Sequence, residues 1–281
     1  MSKKPAKLHE NNIFSYVILI LWTCVIVFIF GWVIVSSFKT NLEIYQKPWA
    51  LPAKATFENY VSAWSTMHMK DYFVNSLIVV FSALAICILI STMASHALTR
   101  YEYRGRETLL NLLIATMSVP LQMYIIPLYT SLQNLGLINT RFGLIIVYGS
   151  LWFPFSLFVL SGFFKTVPKE LEESALIDGC NEYQIFFHVM VPMVQPGIIC
   201  ISVFNFVAMW NEYLLALVFT NKQKLRTIAL GMYALKDSMM YTSNWGGLFA
   251  AIVIMMIPSM LIFVTLRKYV IQGLTLGAIK G

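Results

Sequence analysis

The sequence predicts an all-α, polytopic membrane protein with six transmembrane helices, and three observations predict it. Hydrophobic residues make up 58% of the 281-residue chain and charged residues only 12%, against about 45–50% apolar in soluble domains. The mean hydropathy is +0.71, more apolar surface than one soluble core can hide. The apolar residues also gather into six long runs, each near the ~20 residues a helix needs to cross ~30 Å of hydrocarbon.

The runs are Ile13–Phe38, Phe73–Leu98, Thr108–Tyr129, Phe142–Phe164, Gly197–Thr220 and Gly247–Leu266. The first follows Lys3, Lys4 and Lys7 but exceeds the ~7–15-residue core of a cleavable signal. It therefore reads as a span, preceded by a tail over residues 1–12. The third run contains Pro120 and Pro127, the fourth Pro154 and the sixth Pro258. Each proline frees a carbonyl that lipid cannot satisfy, so these runs are expected to pack together as one bundle over 13–281. Between the first two runs, Phe57, Tyr60, Val61 and Trp64 recur at i, i+3, i+4, i+7, the pattern of an amphipathic helix.

An even number of spans puts both termini on one side. With Met1 and Gly281 inside, the inner segments carry 11 Lys and Arg against 9 outside. The very short "TRYEYRGRE" segment holds three of the inner arginines, and such density favours the cytoplasm. The net charge of +7 then reflects cations flanking spans and facing anionic lipid headgroups, and nucleic acid is not expected as a partner. Cys24, Cys87, Cys180 and Cys200 form no CxxC, and His9, His68, His96 and His188 are scattered, so neither a disulfide framework nor a metal site is expected. No G-x-x-x-x-G-K-[ST] occurs, so the chain has no P-loop for ATP and is not expected to be an enzyme.

One segment breaks the apolar pattern. Over residues 165–196, Glu170, Glu172, Glu173, Asp178 and Glu182 contribute 5 of the protein's 13 acidic residues. Thr166 and Pro168 are placed to start a helix. Its three early glutamates lie at the positive end of the helix dipole. Leu171, Ser174, Ala175 and Asp178 share one face with small residues at its centre, and Gly179 is placed for a left-handed exit. Asn181 and Gln184 then predict a capping box for a second short helix, ended by Pro192 and Pro196. Two short helices around a glycine corner suit either a solvated loop or a docking element.

The stretch "EESALIDGCNEYQIFFHVMVPMVQP" resembles the EAA motif of ATP-binding-cassette importer permeases. Glu173, Ser174 and Ala175 stand at its opening, Gly179 at its glycine, and Val189, Val191 and Pro192 at its end. Ser174 for alanine and valine at the aliphatic positions are the departures. The "LEESALIDG" form, "FVAMWNEYLLALVFT" and "QGLTLGAIKG" are similar to the carbohydrate-uptake branch, within it the maltose-type second permease subunit. The resemblance implies that the loop is cytoplasmic and carries a coupling helix, with Glu173, Ser174, Ala175, Asp178, Gly179 and Pro192 in the coupling element. It also implies a second homologous permease subunit, a dimer of ATPase subunits that hold ATP and Mg, and an extracytoplasmic sugar-binding protein. No cofactor is expected on this chain itself. The place implied is a bacterial or archaeal cell membrane.

Polar residues inside spans are costly and usually face a bundle interior. In the fifth run Asn205, Met209 and Glu212 fall at i, i+4, i+7, flanked by Trp210 and Asn211. These residues suit a path for a sugar, and equally suit hydrogen-bonded glue between helices. An ion-coupled secondary transporter is the alternative, but it would place several ionisable groups at mid-membrane, and this chain offers Glu212.

Overall fold

The computed structural model describes residues 12–278, so the tail up to residue 11 and the two chain ends, for which cytoplasmic placement is expected, lie outside the described residues. Among the described residues every regular element is helical. The chain forms two compact units: one runs up to Met67 and includes Leu235–Ile254, and the other contains His68–Ala234 and the residues from Met255 onward.

The main helices are α1 (Asn12–Ser36), α2 (Met69–Arg100), α3 (Arg106–Ala115), α4 (Leu121–Asn134), α5 (Arg141–Leu151), α6 (Phe153–Thr166), α7 (Glu170–Ile177), α8 (Gln195–Asn211), α9 (Leu214–Phe219), α10 (Ile228–Thr242) and α11 (Trp245–Ala278). Among the described residues, α1, α2 and α11 are the uninterrupted helices long and apolar enough to cross a membrane. The other three expected spans are broken pairs: α5 and α6 meet at 42°, Glu182–Met193 meets α8 at 70°, and Arg106–Ser118 meets α4 at 105°.

The prolines explain two of these breaks. Pro120 is extended (φ −57°, ψ 137°) at the start of α4, so the third run is two helices at a sharp angle and not one rod. Pro154 lies in the first turn of α6, where its missing N–H costs no hydrogen bond. The loop's second helix ends where expected: it runs from Glu182 to Met193, one residue past Pro192, and bends at Val194 before Pro196, which lies in the first turn of α8.

In the first unit, the residues between α1 and α2 are ordered by polar contacts. Thr40 and Glu43 form a capping box, and the buried Lys39 ammonium donates to the carbonyls of Lys47 and Pro48 at 3.3 and 2.9 Å. Asn59 Nδ2 donates to the carbonyls of Ser37 and Lys39, both at 2.8 Å. The expected amphipathic helix is one α-turn, Glu58–Val61, continued by a π-turn over Ser62–Thr66. Ala63 is buried while Phe57 and Val61 stay exposed, so the wider π-turn shifts the buried face off the 3.6-residue pattern.

In the second unit α2 packs against α5, α6 and α8. Its buried face includes Asn75, Ser76, Val79, Ala83, Cys87, Ser91 and Ser95, small or hydrogen-bonding residues that let helices approach closely. Ser95 Oγ donates to the Leu157 carbonyl of α6 at 3.1 Å, and Ser76 Oγ accepts from Ile228 N at 2.7 Å.

Candidate functional site

The acidic segment folds as a helix, a glycine corner and a second helix. Thr166 does not cap α7: its Oγ1 donates back to the Phe163 carbonyl at 2.7 Å, so it finishes α6, and Lys169 precedes α7 without a side-chain cap. Glu170, Glu172 and Glu173 occupy the first turn of α7, where the helix dipole favours carboxylates. At the other end Cys180 N donates to Ala175 O and Gly179 N to Leu176 O, both at 3.0 Å. These two bonds make a Schellman corner, with Gly179 at φ +83°. Asn181 and Gln184 then complete the expected capping box at 2.8 and 2.9 Å. The next turn, Ile185–Met190, is π-helical.

The structure separates the small residues of α7. Ala175 is buried in a cluster with Phe164, Val167, Ile185, Met190 and Val194, so its size serves packing within the chain. Ser174 is exposed and donates to Glu170 O at 2.7 Å. Also exposed are Glu173, Asp178, Gly179 and Pro192. Around the corner stand apolar side chains that the sequence pattern did not single out: Leu176, Ile177 (86% exposed), Tyr183 (78%) and Phe187. Carboxylates thus border an uncovered apolar tip. An isoleucine exposed beside a glycine corner belongs to no amphipathic repeat, so periodicity gives no signal for it.

Behind this surface, Arg100 at the end of α2 reaches into the loop. Its Nη2 donates to the carbonyls of Phe164 and Val167 at 2.8 and 2.6 Å, and its Nε lies 2.8 Å from Glu172 Oε1. That last contact is a charge pair without hydrogen-bond alignment. Burial pushes the Glu172 carboxyl above its ordinary pKa, outweighing the opposing pull of Arg100 and Lys169. Tyr101 hydroxyl donates to Glu182 Oε2 at 3.3 Å.

The polar residues of the fifth run take other places. Asn205 is fully buried, its Nδ2 donating to Ser156 Oγ at 2.7 Å and lying 3.7 Å from Cys87 Sγ. It therefore joins α8 to α6 and α2. Met209 and Trp210 are buried as well; the indole donates to Met255 O at 3.0 Å and stacks on Phe206. Asn211 is exposed and bonds back to Val207 O at 2.8 Å. The expected fifth span stops at Glu212, where α8 ends. The Glu212 carboxylate accepts from Leu215 N at 2.8 Å, from Ala216 N at 3.3 Å and from the buried Tyr148 hydroxyl at 2.6 Å. It thus caps α9 and ties it to α5. Nothing in the local sequence, neither proline nor glycine, marks this break.

Comparisons with known proteins agree with this geometry. Residues 88–276 match the family of binding-protein-dependent transport system inner membrane components. The diacetylchitobiose uptake system permease protein NgcG of Streptomyces coelicolor is 38% identical over 266 residues, 95% of this chain and 88% of that protein. The trehalose/maltose transport system permease protein MalG of Thermococcus litoralis is 32% identical, over 93% and 94% of the two chains. Among solved structures, a chain of a bacterial ABC transporter involved in alginate import superposes with a TM-score of 0.79 at 21% identity, covering 95% of this chain and 99% of that one.

Proposed function

The chain belongs to the binding-protein-dependent transport system inner membrane components, as a permease subunit, and we propose that the system it serves imports a carbohydrate using ATP hydrolysed on partner subunits. The relatives named for oligosaccharide uptake support the cargo class. The observation that carries the coupling role is the exposed Schellman corner at Gly179, ringed by Glu173, Asp178, Ile177 and Tyr183. A soluble ATPase dimer, holding ATP and Mg, seats the two-helix loop in a cleft and drives it. A second homologous permease chain completes the translocation path, and an extracytoplasmic sugar-binding protein delivers cargo on the opposite side. Ion-coupled transport has no support in the bundle, because Glu212 is spent on capping α9. Co-purification of a tagged permease with its ATPase subunits, lost on Glu173→Lys, tests the proposal; retention of the ATPase at wild-type level would refute docking through this loop.

This function places the loop and both termini in the cytoplasm of a bacterial or archaeal cell. A Glu173→Cys chain lacking the four native cysteines is expected to resist an impermeant maleimide in intact cells and to react in inverted vesicles. Labelling in intact cells would reverse the topology.

In this conformation Asn205 and Met209 are sealed from any path. We therefore expect Asn205→Ala to act on the switching between states and not on cargo contact. Maximal uptake should fall with the half-saturating cargo concentration unchanged, and a raised half-saturating concentration would return Asn205 to the path.

A further inference from the structure

We infer that motion of the coupling loop enters the bundle through α2, which is remote in sequence from the loop, with Arg100 as the positioning residue that joins them. The inference rests on the coupling role assigned to the loop above. Three side chains at the end of α2 hold the loop. Arg100 pairs with Glu172 of α7 at 2.8 Å while donating to the two carbonyls at the exit of α6. Tyr101 bonds Glu182 at the start of the second loop helix. His96, one turn before Arg100, lies edge-on to Phe186 of that helix at 5.1 Å and to Phe164 at 5.5 Å. Both halves of the loop are therefore fastened to one helix end.

The covalent route downstream of the loop is softer. Downstream of the corner the chain passes through a π-turn at Ile185–Met190 and a 70° bend before α8, and neither transmits an axial push as a regular helix does. Helix α2 runs 32 residues without a break, about 48 Å, and contacts α5, α6 and α8 along its length. A displacement of α7 transferred through Arg100 thus reaches three other helices at once. Arg100 is 6% exposed and Glu172 21% exposed, so this charge pair is far less screened than a surface pair.

The test uses the complete transporter, with both permeases, the ATPase dimer and the binding protein reconstituted in lipid. A bimane fluorophore on Lys70→Cys, about 45 Å from Arg100 along α2, reports movement when Mg-ATP and vanadate trap the ATPase. Glu172→Gln and Arg100→Gln are expected to trap nucleotide normally yet reduce the trapped fluorescence shift by about 2- to 30-fold, the span for coupling changes of ~0.5–2 kcal/mol. Arg100→Lys, which keeps the charge, should recover most of the shift. A merely structural role would not separate trapping from movement in this way. A full shift in Glu172→Gln, which leaves the guanidinium on the α6 carbonyls even if Arg100→Gln fails to assemble, overturns the inference, as does the absence of any shift with Arg100 and Glu172 intact. Gly179→Val, run in parallel, separates the failures. If Gly179→Val loses ATPase association while Glu172→Gln moves normally, only the α2 route falls; if Gly179→Val also docks and shifts fully, the coupling role of the loop falls with it.

Discussion

A Gly179→Val permease should reach the membrane, pair with its sister subunit and import nothing. Gly179 sits at φ +83°, and a Cβ built there meets no atom within 4 Å. The chain itself therefore leaves room for a side chain, and the cost within it is conformational. A left-handed residue with a Cβ costs ~1–2 kcal/mol, and a β-branched one is a true outlier in that region. The same empty space is where a docked partner would approach, so the side chain also intrudes on the contact. Loss of ~2 kcal/mol at a central interface residue corresponds to a fall of about 30-fold in association. Gly179→Asn divides the two causes, since asparagine tolerates the left-handed region but still fills the space. If Gly179→Asn also loses the ATPase, occlusion of the contact dominates; if it retains the ATPase, the corner dominates. Transport and substrate-stimulated ATP hydrolysis at wild-type level in Gly179→Val would falsify the coupling role. None of these changes touches a packed membrane face, so permease abundance in the membrane is expected to stay unchanged.

The second large effect is expected at Glu212. Replacing it with alanine removes the cap of α9, worth ~1 kcal/mol, and takes from the buried Tyr148 hydroxyl its 2.6 Å acceptor, leaving it the Glu212 main-chain carbonyl at 3.3 Å, a cost of ~1 kcal/mol. Together these predict a loss of about 2 kcal/mol, enough to lower the yield of folded protein. Glu212→Gln keeps one carbonyl acceptor and should lie between alanine and wild type. Tyr148→Phe removes the hydroxyl together with its need for a partner and should be milder than either. Thermal unfolding in detergent, read alongside cargo uptake, checks the order. If Glu212→Gln raised the half-saturating cargo concentration with no change in unfolding temperature, Glu212 would be a cargo contact and not a cap.

What the sequence made legible depended on the range of the interaction. Helices α1, α2 and α11 follow from apolar runs alone, and the corner follows from Gly179 and from Asn181 with Gln184, because caps are satisfied within four residues. Pro120 is visible too, as a break within the third run, but a proline does not fix an angle, and the 105° turn there is legible only in the structure. The fate of Ala175 could not be read locally, since its neighbours Phe164 and Met190 come from other elements. The same holds for Glu212, whose partner Tyr148 lies 64 residues away. Arg100 was legible as a marker of sidedness and not as a contact. Its bonds to Phe164, Val167 and Glu172 exist only after α6 and α7 have been brought to the end of α2.

The burial of polar groups along α2 sets an order of events during synthesis. Helix α1 bonds its polar side chains near in sequence, Thr23 to the Leu19 carbonyl and Trp32 to the Pro48 carbonyl, so it can partition from the translocon into lipid soon after it emerges. Helix α2 carries Asn75, Ser76 and Ser95, whose acceptors and donors belong to residues 224–228 and to Leu157. Those residues leave the ribosome some 60 to 150 positions later. Until then α2 holds unmet hydrogen-bonding groups in hydrocarbon, a debt of ~0.6 kcal/mol or more for each interhelical bond. A nascent chain halted before residue 150 is therefore expected to retain α2 near the translocon or a membrane chaperone, and one long enough for residues 224–228 to clear the ribosome to release it.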